Sequence, residues 1–230
     1  MYIHIIVKDK NNYNPAFDAN IANIKKRIPH YTLIMWDDAS FEEFIKKRSG
    51  LSLMCFRRLN KKIGAMVADY IRYNVLYYFG GVYIDIKSTL KYDWDKFMDI
   101  YEPDRLHIFE WDCKNYFEYI NWFIVCNGGN IILKDLITTI NNAIIKYDYD
   151  TKHKLNKYRT TKQKVLHFTG PRILTSICRE ALGVKEATDL ILVHNNAERK
   201  RNLQYNIFKK KYKKLYKQPH YSSVEEPLCI

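Results

Sequence analysis

The chain has 230 residues, with 38 Lys and Arg against 25 Asp and Glu, a formal net charge of +13 and 47% apolar residues. This apolar fraction excludes an intrinsically disordered chain, and the length fits one domain with a substantial core. No run of about 18 apolar residues occurs, so no membrane-spanning helix is predicted. The five cysteines are scattered and lack a Cys-x-x-Cys spacing, which favours reduced thiols and a soluble, cytoplasmic protein.

Strand and helix patterns alternate along the chain. In chain order they are strand 2–7, helix 15–27, strand 31–36, helix 41–48, a mainly helical stretch 52–79, strand 82–86, strand 106–110, strand 122–126, helix 131–147, helix 171–182 and strand 190–194. Such alternation predicts an α/β fold with a mostly parallel, Rossmann-type central sheet flanked by helices.

Three local signals refine these elements. Ser40 and Glu43 have capping-box spacing for the helix over 41–48, and the helical stretch 52–79 is predicted to break near Asn60 or Gly64. We expect residues 1–198 to form the main domain. The basic C-terminal segment 199–230 is expected to pack on it, at or near the functional site.

Residues 68–87 carry most of the functional information. Asp69 and Arg72 are three apart, so on a helix they share a face. Gly80 and Gly81 then supply a helix stop and a tight turn. Asp85 ends the apolar strand that follows, at the edge where open α/β sheets bind ligands. This layout points to a diphosphate or metal site.

The same block resembles the signature of glycosyltransferases with an Asp-x-Asp (DXD) sugar-binding region, the family 32 type, which are related to the glucosylating clostridial toxins. The positions in register are Ala65, Asp69, Arg72, Leu76, Tyr77, Gly80, Gly81, Tyr83 and Asp85. Weaker landmarks, such as Asn121-Trp122-Phe123-Ile124 and Thr169-Gly170-Pro171, extend the resemblance over residues 3–176. It implies a GT-A-like fold and sugar transfer, with retention of anomeric configuration, from a UDP-sugar or GDP-sugar donor.

The resemblance also implies roles for the residues of the block. Asp69 and Arg72 would bind donor hydroxyls, Tyr83 would reach the donor, and Asp85 would act at its phosphates. By themselves, Asp69 could simply cap a helix and Arg72 could join a surface ion pair. Asn127, in a Gly-rich turn, is predicted to approach the reacting carbon or the acceptor; an ordinary tight turn is the alternative.

Residues of the first two strands are predicted to contribute to donor binding. His4 lies in the stretch that resembles the family's opening strand. Val7 stands where the family has a tryptophan, which stacks on the nucleotide base in the toxins. Trp36 ends the second strand, at the same sheet edge as Asp85, where a base and ribose could lie. The alternative is that Trp36 and the acids after it, Asp37 and Asp38, form an ordinary turn in which the acids cap a helix.

Lys87 stands where the family has its second motif aspartate. That aspartate would ligate Mn²⁺ or Mg²⁺, cations that prefer oxygen ligands, whereas a lysine can neutralise a phosphate directly. Either Asp85 binds a metal with C-terminal ligands, or Lys87 replaces part of the metal's charge. The segment at His220 and Ser222 resembles the family's late ligand segment, so the predicted metal set is Asp85, His220 and Ser222. His194 is the alternative ligand, and a disordered tail is the alternative structure.

Positive charge is concentrated in residues 151–217, which hold 18 Lys and Arg against four acids. The pattern favours an anionic partner, such as a nucleotide sugar or the periphery of a membrane, although solvated basic faces are common. Tyrosines interleave the basic run 205–216, which keeps nucleic-acid binding as an alternative function. A catalytically degenerate relative is the second alternative.

The sequence leaves glycan, lipid and protein acceptors open. The richness in Lys, Asn, Ile and Tyr suggests a viral or bacterial AT-rich genome.

Overall fold

The computed structural model describes residues 1–91, 102, 104–113, 116–184, 189–205 and 226–230. The strands are β1 (Tyr2–Ile6), β2 (Thr32–Trp36), β3 (Gly80–Ile84), β4 (Thr89–Leu90), β5 (Leu106–Cys113), β6 (Tyr116–Tyr119), β7 (Phe123–Asn127), β8 (Ile191–His194) and β9 (Leu203–Gln204). The helices are α1 (Asp18–Arg27), α2 (Asp38–Lys46), α3 (Gly50–Arg58), α4 (Gly64–Phe79), α5 (Ile131–Ile145), α6 (Lys152–Leu155), α7 (Thr161–Phe168), α8 (Pro171–Leu182) and α9 (Asn196–Asn202).

The described part of the chain forms a seven-stranded sheet in the order β2-β1-β3-β7-β5-β6, with β8 also pairing with β5. β1 is parallel to β2 and β3, and β5 is parallel to β8, whereas β7 is antiparallel to both β3 and β5. Only β6 and β7 therefore oppose the direction of the other strands of this sheet. The prediction of a mostly parallel central sheet flanked by helices is confirmed.

Helices cover both faces of the sheet. On one face, α4 and α5 contribute buried side chains such as Tyr73 and Leu136 to the larger core cluster. On the other face, Phe17 and Ile24 from the α1 region pack with Val82 of β3. Every residue of β3 is buried, as expected for a central strand with both faces covered.

Two glycines fix the path from α4 into β3. Gly80 has φ 62° and Gly81 has φ 97°, a backbone region that favours glycine. A Cβ on Gly81 would lie 2.2 Å from the carbonyl oxygen of Tyr2, and a Cβ on Gly80 would lie 2.3 Å from the backbone nitrogen of Gly128. The tight reversal makes α4 run antiparallel to β3, so the first half of the helix lies beside the carboxyl end of the strand.

Several predicted boundaries need correction. The N-cap of α2 is Asp37, whose carboxylate accepts a hydrogen bond from the backbone N–H of Ser40. Ser40 is the third residue of the helix and not its cap, so the predicted Ser40–Glu43 capping box is wrong. The stretch 52–79 is two helices, α3 and α4, separated where Leu59 adopts an extended conformation. The break falls near Asn60, as predicted.

The basic run 152–164 also has local structure that its charge pattern concealed. It contains α6 and the start of α7, with Leu155 buried while Lys152, Lys154 and Lys157 are exposed. In this run the lysines form a solvated face around an apolar anchor. None of the helices within the described residues is long and apolar enough to cross a membrane.

The described parts of the C-terminal segment pack on the rest of the chain. β9 pairs with β4, placing Leu203 opposite Leu90. At the other end, Leu228 and Cys229 are buried, and the carbonyl of Leu228 accepts from the backbone N–H of Asn60. The division at residue 198 stays a prediction.

Candidate functional site

The middle of α4 carries a buried ion pair. Nη2 of Arg72 lies 3.1 Å from Oδ1 of Asp69, and the two side chains are only 5% and 7% exposed. They are three residues apart on one helix, so they share a face as the sequence predicted. Nη1 of Arg72 also donates to the carbonyl of Asn121 at 2.6 Å, and Nε donates to the carbonyl of Ala68 at 3.2 Å. Both charged groups are therefore held in fixed positions.

Asp85 meets this pair from the end of β3. Its Oδ1 lies 3.5 Å from Nη2 of Arg72 and accepts a 2.5 Å hydrogen bond from the hydroxyl of Tyr83. The guanidinium carbon of Arg72 sits 4.5 Å from the centre of the Tyr83 ring. The structure thus brings together four of the predicted site residues: Asp69, Arg72, Tyr83 and Asp85. Asp85 is the most accessible of the three charged groups, because its side chain is 18% exposed.

Burial dominates the electrostatics of this cluster. It raises the pKa of Asp69 to about 7, against the opposing effects of Arg72, Thr169 and Asn121. Burial alone would lower the pKa of Arg72, but Tyr83, Asp69 and Asp85 together raise it above its ordinary value. Arg72 therefore remains a cation and is the counter-charge for both carboxylates.

Two further residues complete the cluster without having been predicted. The side-chain amide of Asn121 donates to Oδ1 of Asp69 at 2.8 Å, and the hydroxyl of Thr169 donates to Oδ2 at 3.1 Å. Both belong to segments that the sequence singled out as weak family landmarks. Their chain positions gave no indication that they converge on Asp69, which lies 52 and 100 residues earlier.

The segment carrying Lys87 is anchored from both sides. The backbone N–H of Asp85 donates to the carbonyl of Trp122 at 2.9 Å, and that of Ser88 donates to the carbonyl of Asp85 at 2.7 Å. From α1, the side-chain amide of Asn20 donates to the carbonyls of Ile86 and Ser88. Lys87 is half-buried in this turn, two residues from Asp85.

His4 and Trp36 lie in the core between the first strands and α4. Nε1 of Trp36 donates to Nδ1 of His4 at 3.0 Å. Burial lowers the pKa of His4 to about 4, so the ring is neutral and its Nε2–H donates to the carbonyl of Gly80 at 2.9 Å. The two rings thus bind each other and the helix–strand turn. Their predicted role in donor binding stays a prediction.

The other predicted residues have different placements. Val7 is 8% exposed at the carboxyl end of β1, and its role also stays a prediction. Asn127 pairs with Gly80 at the opposite end of β3, roughly 16 Å from Asp85 along the strand, so the structure does not bring it to the cluster. His220 and Ser222 lie outside the described residues.

A divalent metal fits the described residues poorly. They hold no group of three or more His, Cys, Asp or Glu side chains that could ligate a metal ion. One oxygen of Asp85 is already used by Tyr83 and Arg72, and the next motif position is the cation Lys87. The alternative ligand His194 is 3% exposed, with its Nε2 3.2 Å from Nδ1 of His107. Burial lowers the pKa of His194 to about 4.

Residues 15–103 match the protein family described as a glycosyltransferase sugar-binding region containing DXD motif. This range contains α4, the glycine pair, β3, Asp85 and Lys87. The resemblance inferred from the sequence is therefore confirmed, and this part of the chain is glycosyltransferase-like. No curated protein sequence matches the chain at a significant level.

Solved structures share the fold. A structure titled PaToxG Glycosyltransferase has a TM-score of 0.54 and 15% sequence identity, covering 82% of this chain and 72% of that one. The glycosyltransferase domain from the YGT toxin gives TM-scores of 0.46 (ligand-free) and 0.43 (UDP-bound), with 13% and 14% identity. Those alignments cover 77% and 78% of this chain, which spans 55% and 56% of the two toxin chains. The first match shows that this chain has the fold of a glycosyltransferase.

Proposed function

We propose that this chain is a retaining glycosyltransferase that moves a hexose from a UDP-sugar or GDP-sugar donor to a hydroxyl acceptor. The observation that carries this proposal is the cluster of Asp69, Arg72 and Asp85, which lies at the carboxyl end of β3 within the range that matches a glycosyltransferase sugar-binding region. Open α/β sheets bind their ligands at this edge.

The three charged residues, Asp69, Arg72 and Asp85, would have different roles in donor binding because they differ in solvent exposure. Asp69 and Arg72 are nearly buried and hydrogen-bonded to the protein, so we assign them to the base of the donor site, where only a few of their atoms would meet the sugar hydroxyls. Asp85 is the more exposed carboxylate. Tyr83 and Arg72 orient it, so it can bind the donor without first paying the entropy of ordering a mobile side chain.

The chemical step exchanges one bond for another at the anomeric carbon. The bond from this carbon to the phosphate oxygen breaks, and its electron pair leaves with the nucleoside diphosphate. The acceptor hydroxyl oxygen forms the new bond, and its proton passes to the leaving diphosphate. Negative charge grows on the diphosphate, and we assign Lys87 to its stabilisation. A cation placed there acts in the transition state.

Exchanging Lys87 for aspartate tests that assignment. Lys87→Asp removes the cation and places a carboxylate on each side of Ile86. Because Mn²⁺ prefers oxygen ligands, we expect added Mn²⁺ to stimulate donor hydrolysis about tenfold more in this variant than in the wild type. Lys91→Asp is the matched control, because Lys91 is an exposed lysine on the same segment whose Nζ donates to the carbonyl of Lys200. An unchanged manganese response in Lys87→Asp would contradict the assignment.

The function itself is tested by a donor screen on the intact chain. UDP-sugars and GDP-sugars are tested by thermal shift with and without Mn²⁺, and every ligand that stabilises the protein is then tested for hydrolysis. We expect at least one donor to raise the melting temperature and to be hydrolysed, because a ligand that binds only the folded state stabilises it.

Other outcomes of the screen distinguish the alternatives. Donor binding without turnover would indicate a catalytically degenerate relative, the reading that Lys87 favours. No response to any donor, together with nucleic-acid binding that weakens steeply with salt, would overturn the proposal in favour of a nucleic-acid-binding protein.

A further inference from the structure

An aromatic cluster lies beside the candidate site. The ring centres of Trp122 and Tyr205 are 4.9 Å apart with an interplanar angle of 31°. Trp111 meets both rings edge-on, at 5.4 Å from Tyr205 and 6.3 Å from Trp122. Trp122 is 6% exposed, whereas Tyr205 is 42% exposed. The cluster therefore presents an accessible aromatic ring on a buried aromatic support.

Arg199 fixes Trp111 in this cluster. Its guanidinium carbon lies 4.3 Å from the centre of the Trp111 ring, and its Nε donates to the carbonyl of Glu110 at 3.0 Å. Nη2 also donates to the side chain of Asn196 at 2.6 Å. Arg199 is 8% exposed. A cation held over an aromatic face by its own hydrogen bonds restricts the ring, so Trp111 is a preorganised support.

One dipeptide joins the aromatic cluster to the charged cluster. The carbonyl of Trp122 accepts from the backbone N–H of Asp85, and the preceding residue, Asn121, donates its side-chain amide to Asp69. The pairing of β9 with β4 brings the segment before Tyr205 beside the segment after Asp85. The exposed ring of Tyr205 is thus at the same edge of the sheet as the candidate donor site.

Glu118 adds an unsatisfied acceptor next to these rings. Among the described residues, its buried Oε2 has no hydrogen-bond partner; its ion-pair partner, Nε of Arg172, is 3.9 Å away. Glu118 is the cross-strand partner of Trp111 in the β5–β6 hairpin, and directly opposed residues project from the same face. Burial raises the pKa of Glu118. A buried acceptor without a hydrogen bond is costly in a folded protein, so a hydroxyl donated by a ligand would relieve that cost.

We propose that Tyr205, Trp111 and Glu118 form an acceptor subsite for a carbohydrate. A pyranose ring has an apolar C–H face, which would pack on Tyr205, and hydroxyl donors, one of which would bind Glu118. An aromatic ring beside a carboxylate oxygen that lacks a hydrogen bond matches both faces of a sugar, which is why we place a carbohydrate here rather than a lipid or a protein side chain. The inference rests on the proposed function and narrows its acceptor to a sugar.

The test measures how the donor is partitioned between sugar and water. Using a donor that the wild type hydrolyses, the intact chain is offered glucose, galactose, mannose, N-acetylglucosamine and their disaccharides, and the ratio of glycosylated sugar to hydrolysed donor is measured. Tyr205→Ala is expected to lower this ratio about tenfold, which corresponds to about 1.4 kcal/mol. Tyr205→Phe should retain it. Tyr149→Ala, at an 89% exposed tyrosine, is the matched control.

A second variant separates ligand binding from folding. Glu118→Met removes the carboxylate at similar volume, so we expect the KM for the sugar acceptor to rise while the urea midpoint of unfolding shows that the variant is still folded. A purely structural Glu118 would not change the KM.

The outcomes separate this inference from the proposed function. If no donor is hydrolysed, the proposed function fails. Donor hydrolysis without transfer to any sugar overturns the acceptor inference alone. An unchanged partition ratio in Tyr205→Ala, or an equal loss in Tyr205→Phe, also overturns it.

Discussion

Replacing Arg72 with methionine is expected to lower the free energy of unfolding by about 3–5 kcal/mol, because it leaves Asp69 as a buried charge without its counter-ion. Methionine keeps most of the side-chain volume but removes the interactions with Asp69, Asp85 and the carbonyl of Asn121. Urea denaturation followed by circular dichroism measures the change, with an unchanged m-value showing that the transition is still comparable.

Arg57→Met is the matched control. Arg57 also pairs with a carboxylate, that of Glu42 at 2.7 Å, but its side chain is 58% exposed. Removing a solvent-exposed pair should cost about 1 kcal/mol or less. Equal losses in the two variants would contradict the view that burial makes the Arg72 cluster special.

The loss of unfolding free energy in Arg72→Met, relative to the wild type, should depend on pH in a defined direction. Burial raises the pKa of Asp69 to about 7 in the folded protein, above its unfolded value. A protonated Asp69 needs no counter-ion, so the deficit should be smaller at acidic pH and should grow as the pH rises through neutrality. A deficit that grows toward low pH would assign the loss to a different contact.

The central part of the site could be predicted from the sequence because it is local. Asp69 and Arg72 share a helix face by their spacing, Gly80 and Gly81 mark a reversal that few other residues allow, and Asp85 follows directly from the strand. Each of these features depends on residues close together in the chain. Helix and strand periodicity then placed them at one end of the sheet.

The rest of the site depends on contacts between distant segments. Asn121 and Thr169 reach Asp69 from 52 and 100 residues away, and no local pattern encodes that convergence. His4 and Trp36 show the same limit. Their mutual hydrogen bond could not be read from the sequence, because they lie on different strands, 32 residues apart. Asn127 lies at the opposite end of β3 because β7 is antiparallel to β3, a direction that the composition of β7 does not reveal.

The buried cluster connects the stability of the fold with its proposed chemistry. Arg72 forms ion pairs with two carboxylates, the buried Asp69 and the more exposed Asp85. Its positive charge is therefore largely neutralised by groups of the protein itself. The leaving diphosphate would then need another cation, which is why Lys87 enters the proposal. This division predicts that changes at Arg72 act mainly on folding, whereas changes at Asp85 act mainly on turnover.

Asp85→Asn is expected to lower kcat/KM for donor hydrolysis by about 10²-fold or more, because a carboxylate can stabilise the positive charge that grows on the sugar ring as the diphosphate leaves, and preorganised charges at a reacting centre commonly contribute this much. The amide keeps the shape of the side chain but loses the charge that Arg72 and Tyr83 orient. Asp85 is the accessible carboxylate of the cluster, so the fold should persist. Circular dichroism and the urea midpoint verify this, and the thermal shift produced by the donor in the wild type should be lost.

Asp148→Asn provides the comparison for Asp85→Asn. Asp148 also pairs with an arginine, Arg58 at 3.1 Å, but its side chain is 66% exposed and belongs to a surface ion pair. Its removal should leave both donor hydrolysis and the thermal shift as in the wild type. If folded Asp85→Asn turned over the donor at the wild-type rate, Asp85 could not act on the donor, and the sugar-transfer proposal would lose the residue on which its chemistry depends.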